Sequence, residues 1–312
     1  MSLVTGWLML ALAGPVRLTG LAASADTVRI TDDTGRTLVL ARPPRRIVSL
    51  VPAATEVLFA IGAGETVVGR SRFDDEPPAV RRVSSVGNAI RPSSELVLAL
   101  KPDLLILVGG SDNERSILEF RRLRVPALVI VMNTFADLER NIDRLGRLSG
   151  HAREGRRLAR RIHGELAAVR RTVAGLPRRS VYYDVAFPPA FTIGAGSYLD
   201  SLISIAGGRN IFGDVAAPSP RVGLEAIVVR RPKIMILPVG RDPRFRPPAP
   251  SRRPGWDAID AVRGGRVREV DADLLHRLGP RIGQAAAALA EAIHPEARER
   301  IRRAVAELEG GG

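Results

Sequence analysis

Short, dense apolar runs alternate along this chain with stretches in which apolar residues recur every three or four positions. The dense runs fall at 46–50, 67–69, 104–107, 127–131, 180–184, 234–237 and 266–270. Their length and β-branched content suit parallel strands covered on both faces. The helical pattern occupies 56–61, 114–123, 134–148, 198–206 and 280–293, with Thr55 as an N-cap candidate and Gly62 and Gly207-Gly208 as stops. Strand and helix alternate throughout, which predicts an α/β fold with parallel-type sheets flanked by helices. Residues 28–40 read instead as a β-hairpin around the turn Asp33-Thr-Gly35-Arg36. From 151 to 174 a single helix is predicted, with Leu158, Ile162, Leu166 and Val169 on one face. It would be roughly 36 Å long, enough to bridge two lobes.

One unit occurs twice. Glu95-Leu-Val-Leu-Ala-Leu-Lys101-Pro102 leads into Asp103-Leu-Leu-Ile-Leu107, and Glu225-Ala-Ile-Val-Val-Arg-Arg231-Pro232 leads into Lys233-Ile-Met-Ile-Leu237. In each, a glutamate opens a short apolar helix where free N–H groups favour negative charge. A proline then stops the helix, and a buried strand follows. Two copies 130 residues apart imply two similar lobes. The organisation expected is a leader at 1–25, a lobe at 26–150 that includes the hairpin, an interlobe helix at 151–176 and a second lobe at 177–312.

The leader reading rests on the apolar stretch from Leu3 to Ala13 and on Ala23-Ser24-Ala25, a small-x-small cleavage signal before Asp26. Gly14, Pro15 and Arg17 interrupt the run, which falls short of the ~20 apolar residues that span a bilayer. The expectation is therefore an exported, periplasmic protein. There are no cysteines, so disulfides and a lipid-modified cysteine are both excluded. A two-lobed exported chain is most simply a receptor that traps a small molecule. The net charge of +14 raises the question of nucleic acid, but aromatics are only 4%, there is no basic tail, and the arginines are scattered along helices. An arginine-biased solvated surface is expected, with no nucleic-acid partner.

The residues also resemble a known family. Ile47-Val-Ser-Leu-Val-Pro-Ala-Ala-Thr-Glu-Val-Leu-Phe-Ala-Ile-Gly62, Ser71-Arg-Phe-Asp-Asp-Glu-Pro-Pro78, Leu98-Ala-Leu-Lys-Pro-Asp-Leu-Leu-Ile106 and Ala206-Gly-Gly-Arg-Asn-Ile-Phe212 are similar to periplasmic receptors for cobalamin, haem and ferric siderophores. The likeness covers about residues 44 to 295. Phe73-Asp-Asp-Glu-Pro-Pro78 and Phe187-Pro-Pro-Ala-Phe191-Thr192 narrow it towards cobalamin receptors. The resemblance implies two α/β lobes, one long interlobe helix, a cleft between the lobes, and a monomer that delivers its ligand to an ABC importer permease and its ATPase. It implies docking glutamates on each lobe, at Glu95 and Glu225. It implies ligand contacts at Phe73, Asp273 and Arg277, with Phe191 as a second cleft aromatic. Where cobalamin receptors carry cleft tryptophans, this chain has Gly87 or its neighbour Val86, then Val108 and Ser219; Trp256 is expected outside the cleft.

Losing those aromatic faces leaves the ligand open between a corrinoid and another cobalt or iron macrocycle. A haem iron would want an axial His or Tyr. His276 in the late loop is the first candidate, followed by Tyr198, Tyr182 and Tyr183. His151, His163 and His294 are expected at exposed helix positions. A ferric siderophore would instead use Arg91, Arg221, Arg277 and Arg281. No protein-held metal and no resident cofactor are expected, the macrocycle being cargo. Gly62-Ala-Gly64 follows a helix rather than a strand, so it is no dinucleotide loop. Gly194-Ala-Gly196-Ser197 is no nucleophile elbow, and no catalytic set emerges. The chain is expected not to be an enzyme.

Overall fold

The apolar runs become the central strands of two parallel sheets in the computed structural model, which describes residues 27–88, 90–240 and 246–309. The expected leader at 1–25 lies outside the described residues. The chain opens with β1 (Val28–Thr31) and β2 (Thr37–Leu40), an antiparallel hairpin pairing Val28 with Leu40. Then come β3 (Ile47–Ser49), α1 (Pro52–Ala60), β4 (Val67–Arg70), β5 (Ser84–Ser85), α2 (Ser94–Ala99), β6 (Leu104–Val108), α3 (Glu114–Arg122), β7 (Ala127–Ile130) and α4 (Phe135–Ser149). After α5 (Ala152–Val173) the plan recurs with β8 (Arg179–Tyr183), α6 (Tyr198–Ile205), β9 (Gly208–Asn210), α7 (Leu224–Val229), β10 (Ile234–Val239), α8 (Asp260–Arg263), β11 (Val267–Asp271), α9 (Ala272–Leu275), α10 (Ile282–Ile293) and α11 (Arg298–Glu309).

The first sheet has strand order β5-β4-β3-β6-β7 and the second β11-β10-β8-β9, with every described pairing parallel. Burial explains the dense runs: Leu104 to Leu107 and Ile234 to Leu237 have almost no exposed surface, because helices cover both faces. The long helix α5 lies between the lobes in sequence and packs against α4 on one side and α10 and α11 on the other. Its buried stripe includes Leu158, Ile162 and Val169.

The sequence repeat is carried into the backbone. Helices α2 and α7 each span six residues. The residues before the two prolines, Lys101 and Arg231, take the left-handed conformation at φ 46° and 47°. Such values are uncommon for residues with a side chain. Their matched occurrence turns both helices into β6 and β10 by the same path.

Four local expectations are corrected. Thr55 does not cap α1, which starts at Pro52 with proline in its first turn; its hydroxyl instead donates to Ser49 Oγ at 2.8 Å inside the lobe. The helix expected at 280–293 begins at Ile282, and a further helix, α11, follows it with Ile301 and Val305 buried. His294, expected at the surface, is fully buried, with Nε2 3.3 Å from Gly207 O. The stretch 241–254, whose richness in Pro and Arg reads as an irregular surface loop, falls partly outside the described residues, and its Arg253 is buried. That guanidinium lies 4.5 Å from the Phe187 ring centre and 4.3 Å from that of Trp256, and donates to Asp184 at 2.7 Å.

The Asp184–Arg253 pair has almost no exposed surface on either side. Removing one member of such a pair strands the other charge in the core. Asp184→Ala should therefore lower unfolding stability by about 3 kcal/mol, read as a fall in the urea midpoint. A loss under about 1 kcal/mol would mean the guanidinium finds other partners or water.

Candidate functional site

In an open parallel sheet, ligands gather outside the carboxyl ends of the strands, where the strand order reverses. In the first sheet that reversal lies between β3 and β6, and in the second between β8 and β10. The loops leaving these ends carry most of the candidate residues. The two ends also face each other, because Arg277, on the loop after α9, reaches Glu56, Asp75 and the Phe73 carbonyl of the first lobe.

On the first lobe, β4 runs into a tight turn. Asp74 is buried and its Oδ2 accepts from the Ser71 amide at 3.0 Å and from the Ser71 hydroxyl. Ser71 Oγ in turn accepts from the Phe73 amide at 3.2 Å. Burial raises the Asp74 pKa against the pull of these hydrogen bonds. The turn leaves Phe73 projecting, 47% exposed, with the Arg72 guanidinium 4.8 Å from its ring centre. The Arg72 amide donates to Gly87 O at 2.7 Å, so Gly87 sits beside this loop; its φ of 97° suits glycine. Val108 is half-buried at the carboxyl end of β6. Val86, by contrast, is buried in the first-lobe core and faces no cleft.

On the second lobe, Phe191 is half-buried and pinned by backbone bridges to Ala186 and Arg221. Ser219, Arg91 and Arg221 are exposed. Asp273 opens α9, its amide accepted by Asp271 Oδ1 at 2.8 Å. His276 ends that helix, exposed on one side, with Nε2 3.0 Å from the Tyr183 hydroxyl. Tyr183 is fully buried, which raises its pKa and keeps the phenol protonated. Tyr198 is half-buried and donates to Leu275 O at 2.8 Å; burial raises its pKa too. Tyr182 points the other way, buried against Phe212 and Trp256. Trp256 is thus a core residue of the second lobe, and Tyr182 is removed from any cleft role. His163 is exposed and paired with Glu139; His151 hydrogen-bonds Ser149 through Nδ1. Neither belongs to the site.

Desolvation lowers the pKa of His276, with Asp273 opposing. The folded value lies below the unfolded one. Its contribution to stability is therefore present above about pH 6.5 and lost as pH falls through the folded pKa. The wild type should lose more thermal stability between pH 7 and 5 than His276→Gln does. Parallel melting curves for the two proteins would show imidazole protonation to be immaterial.

Glu56, missed in the sequence, holds the two lobes together here. It is 4% exposed. Arg281 donates to both its oxygens, at 3.0 and 2.9 Å, and Arg277 to Oε1 at 3.2 Å. Arg277 also donates to Asp75 and, at 3.1 Å, to Phe73 O, with Asp273 at 3.8 Å. The signal available in the sequence was a lone acid in a buried helix face, since α1 buries every residue from Ala53 to Leu58.

Glu95 and Glu225 lie in the first turns of α2 and α7, both exposed. The Ser93 hydroxyl donates to Glu95 Oε2 at 2.8 Å; backbone and Ser93 hydrogen bonds lower its pKa. Beside it, a groove of about 810 Å³ between α2 and α3 is lined by Leu98, Glu114, Leu118, Glu119 and Leu123. Among the described residues no group of three or more His, Cys, Asp or Glu is placed to hold a metal ion, and no helix is long and apolar enough to cross a membrane.

A family model described as a periplasmic binding protein matches residues 47–274. An uncharacterised ABC transporter substrate-binding lipoprotein of Bacillus subtilis is 28% identical over 277 residues, 86% of each chain. The structure of a periplasmic vitamin B12 binding protein of Vibrio cholerae is similar at a TM-score of 0.66 and 26% identity, covering 84% of this chain and 98% of that one. A periplasmic heme-binding protein of Roseiflexus sp. in its apo form is similar at a TM-score of 0.72 and 26% identity, covering 81% of this chain and 99% of that one.

Proposed function

We propose that this chain, which belongs to the periplasmic binding protein family, captures a corrinoid of the cobalamin type between its two lobes and delivers it to an ABC importer permease and its ATPase. The reading has it exported to the periplasm, acting as a monomer, without catalysis or a resident cofactor. The observation that carries it is Phe73. A large apolar ring held half-exposed by a buried hydrogen-bonded turn is built to meet something. A flat macrocycle fits such a face, and the similarity to the Vibrio cholerae vitamin B12 binding protein supports it.

The ligand-facing set in this reading is Phe73, Gly87, Val108, Phe191, Ser219, Asp273 and His276, with Arg277 in the same cleft. Glycine, valine and serine leave room where a bulkier receptor would stack, so the cleft suits a ligand held mainly on one face. Haem is the second reading. What favours it is His276, an imidazole at the cleft whose pKa desolvation lowers, and the similarity to the Roseiflexus heme-binding protein. Its Nε2 is engaged by Tyr183, so iron ligation through that nitrogen would have to break the hydrogen bond.

Equilibrium dialysis of residues 26–312 against cyanocobalamin, with haemin and a ferric siderophore in parallel cells, tests the assignment. Retained cyanocobalamin at a Kd of about 1 μM or tighter is expected. Retention of haemin alone, with an absorbance band lost in His276→Ala, would move the ligand to haem. Retention of none of the three would sink the macrocycle reading.

A further inference from the structure

We propose that Arg277 is a positioning residue: with Arg281 and Glu56 it fixes the Phe73 loop and the spacing of the lobes, and it serves the ligand through Phe73 rather than by touching it. Both terminal nitrogens of Arg277 already donate to protein. One terminal nitrogen, Nη1, donates to Glu56 and Asp75, and Nη2 donates to the carbonyl of Phe73. All three acceptors lie on the first lobe, some 200 residues away in sequence. Arg281, at the start of α10, completes the join by gripping both oxygens of Glu56.

Two arginines thus face two carboxylates across the lobe boundary. Glu56 is buried, and among the described residues the cations that meet its charge, Arg277 and Arg281, both come from the second lobe. A fork of fixed geometry on a buried carboxylate resists sliding more than a surface pair does. The backbone closes in at the same place: a Cβ on Gly279 would stand 3.6 Å from Ala53 Cα and 3.7 Å from Glu56 Oε2. The loop is also tied to α5, where Arg161 reaches Pro280 O at 3.5 Å. The Phe73 ring is therefore set from two sides. The Asp74 turn holds it from its own lobe, and Arg277 holds its carbonyl from the other.

A double-mutant cycle with a distance measurement tests this. The ligand arm rests on reading the gap as a ligand cleft; the distance arm does not. With cyanocobalamin as the probe, or haemin if that is what the wild type retains, Arg277→Gln should weaken retention about tenfold. In the Phe73→Ala background the same change should weaken it no further, because residues acting through one group are not additive. Independent, multiplying losses would show that Arg277 touches the ligand and would overturn the proposal.

The chain has no cysteines, so Arg122→Cys on α3 and Arg209→Cys on β9, both exposed, give two spin-label sites, one per lobe. Without ligand, the parent should give one narrow distance distribution, and Glu56→Gln a visibly broader one. Glu56→Gln keeps the side-chain shape and an acceptor oxygen, and Arg281→Gln reports on the same join if it fails to fold. Unchanged distributions in the folded variant would overturn the join, whatever the ligand proves to be. Broadening with no retention of either probe by the wild type would keep the join and reject the ligand reading.

Discussion

Phe73→Ala should weaken macrocycle retention by about thirtyfold, or about 2 kcal/mol, while leaving the fold intact. The two halves of this expectation come from different observations. The ring is 47% exposed, so truncating it opens little cavity in the core. The turn that presents it is held by Ser71 and Asp74 through backbone and buried side-chain groups, none of which belongs to the phenylalanine ring. Stability by urea unfolding should change by less than about 0.5 kcal/mol, as for surface substitutions generally. Binding should change far more, because Phe73 supplies the large exposed aromatic face at this edge, with Gly87 and Val108 offering little beside it. Equilibrium dialysis of the wild type and Phe73→Ala against cyanocobalamin gives the comparison directly. Equal retention by the two proteins would place the ligand away from this loop. Equal loss of stability and binding would show the ring to be a core residue.

The contrast between Phe73 and Arg277 shows what the chain discloses by itself. The two sheets were legible because their central strands are buried on both faces, and that burial forces apolar density into runs such as Leu104 to Leu107. The repeated unit was legible because a helix start, a proline stop and a strand each leave a local mark. Elements with less local signature were lost. Strand β9 is Gly208-Arg209-Asn210, which reads as a helix stop, since two of its side chains are polar and its partner β8 lies far back in the chain. Helix α11 was missed because its inward-turned residues, Ile301 and Val305, are few and set among charged ones. Thr55 has the residue type of a cap but lies within α1, where its hydroxyl is spent on Ser49.

The site divides in the same way. Residue type and the family resemblance put Phe73 and Asp273 on the facing loops of the two lobes, but they said nothing of what Arg277 would do there. Its partners Glu56, Asp75 and Phe73 precede it by about 200 residues, and no local period encodes a contact of that span. The burial of Arg253 escaped for the same reason: an arginine among prolines looks solvated until Asp184, Phe187 and Trp256 close around it.

If Glu95 and Glu225 dock a permease, as proposed, the double reversal Glu95→Lys with Glu225→Lys should abolish ligand uptake while leaving ligand retention within about twofold. The two glutamates lie in the first turns of matched six-residue helices, which are followed by matched left-handed residues, so the two lobes each present a carboxylate at the same point of the fold. Neither carboxylate is buried, and neither belongs to the Glu56 join or the Phe73 loop. A helix-start role alone would cost each variant only about 0.3–1 kcal/mol of stability. Transport should therefore respond far more than folding does if these groups meet cationic sites on a permease, since charge reversal turns attraction into repulsion at both points. A groove with exposed Leu98, Leu118 and Leu123 flanks Glu95, and exposed Val229 lies on α7 with Glu225, so each lobe offers apolar surface beside its charge. The measurement pairs ligand uptake by cells carrying the cognate importer with dialysis of the purified variant. Uptake that survives the double reversal would reduce both glutamates to helix-start charges. Uptake lost along with ligand retention would point to misfolding, which the urea midpoint would reveal. Only lost uptake with intact retention and stability identifies the two lobes' shared face as the one that meets the membrane partner.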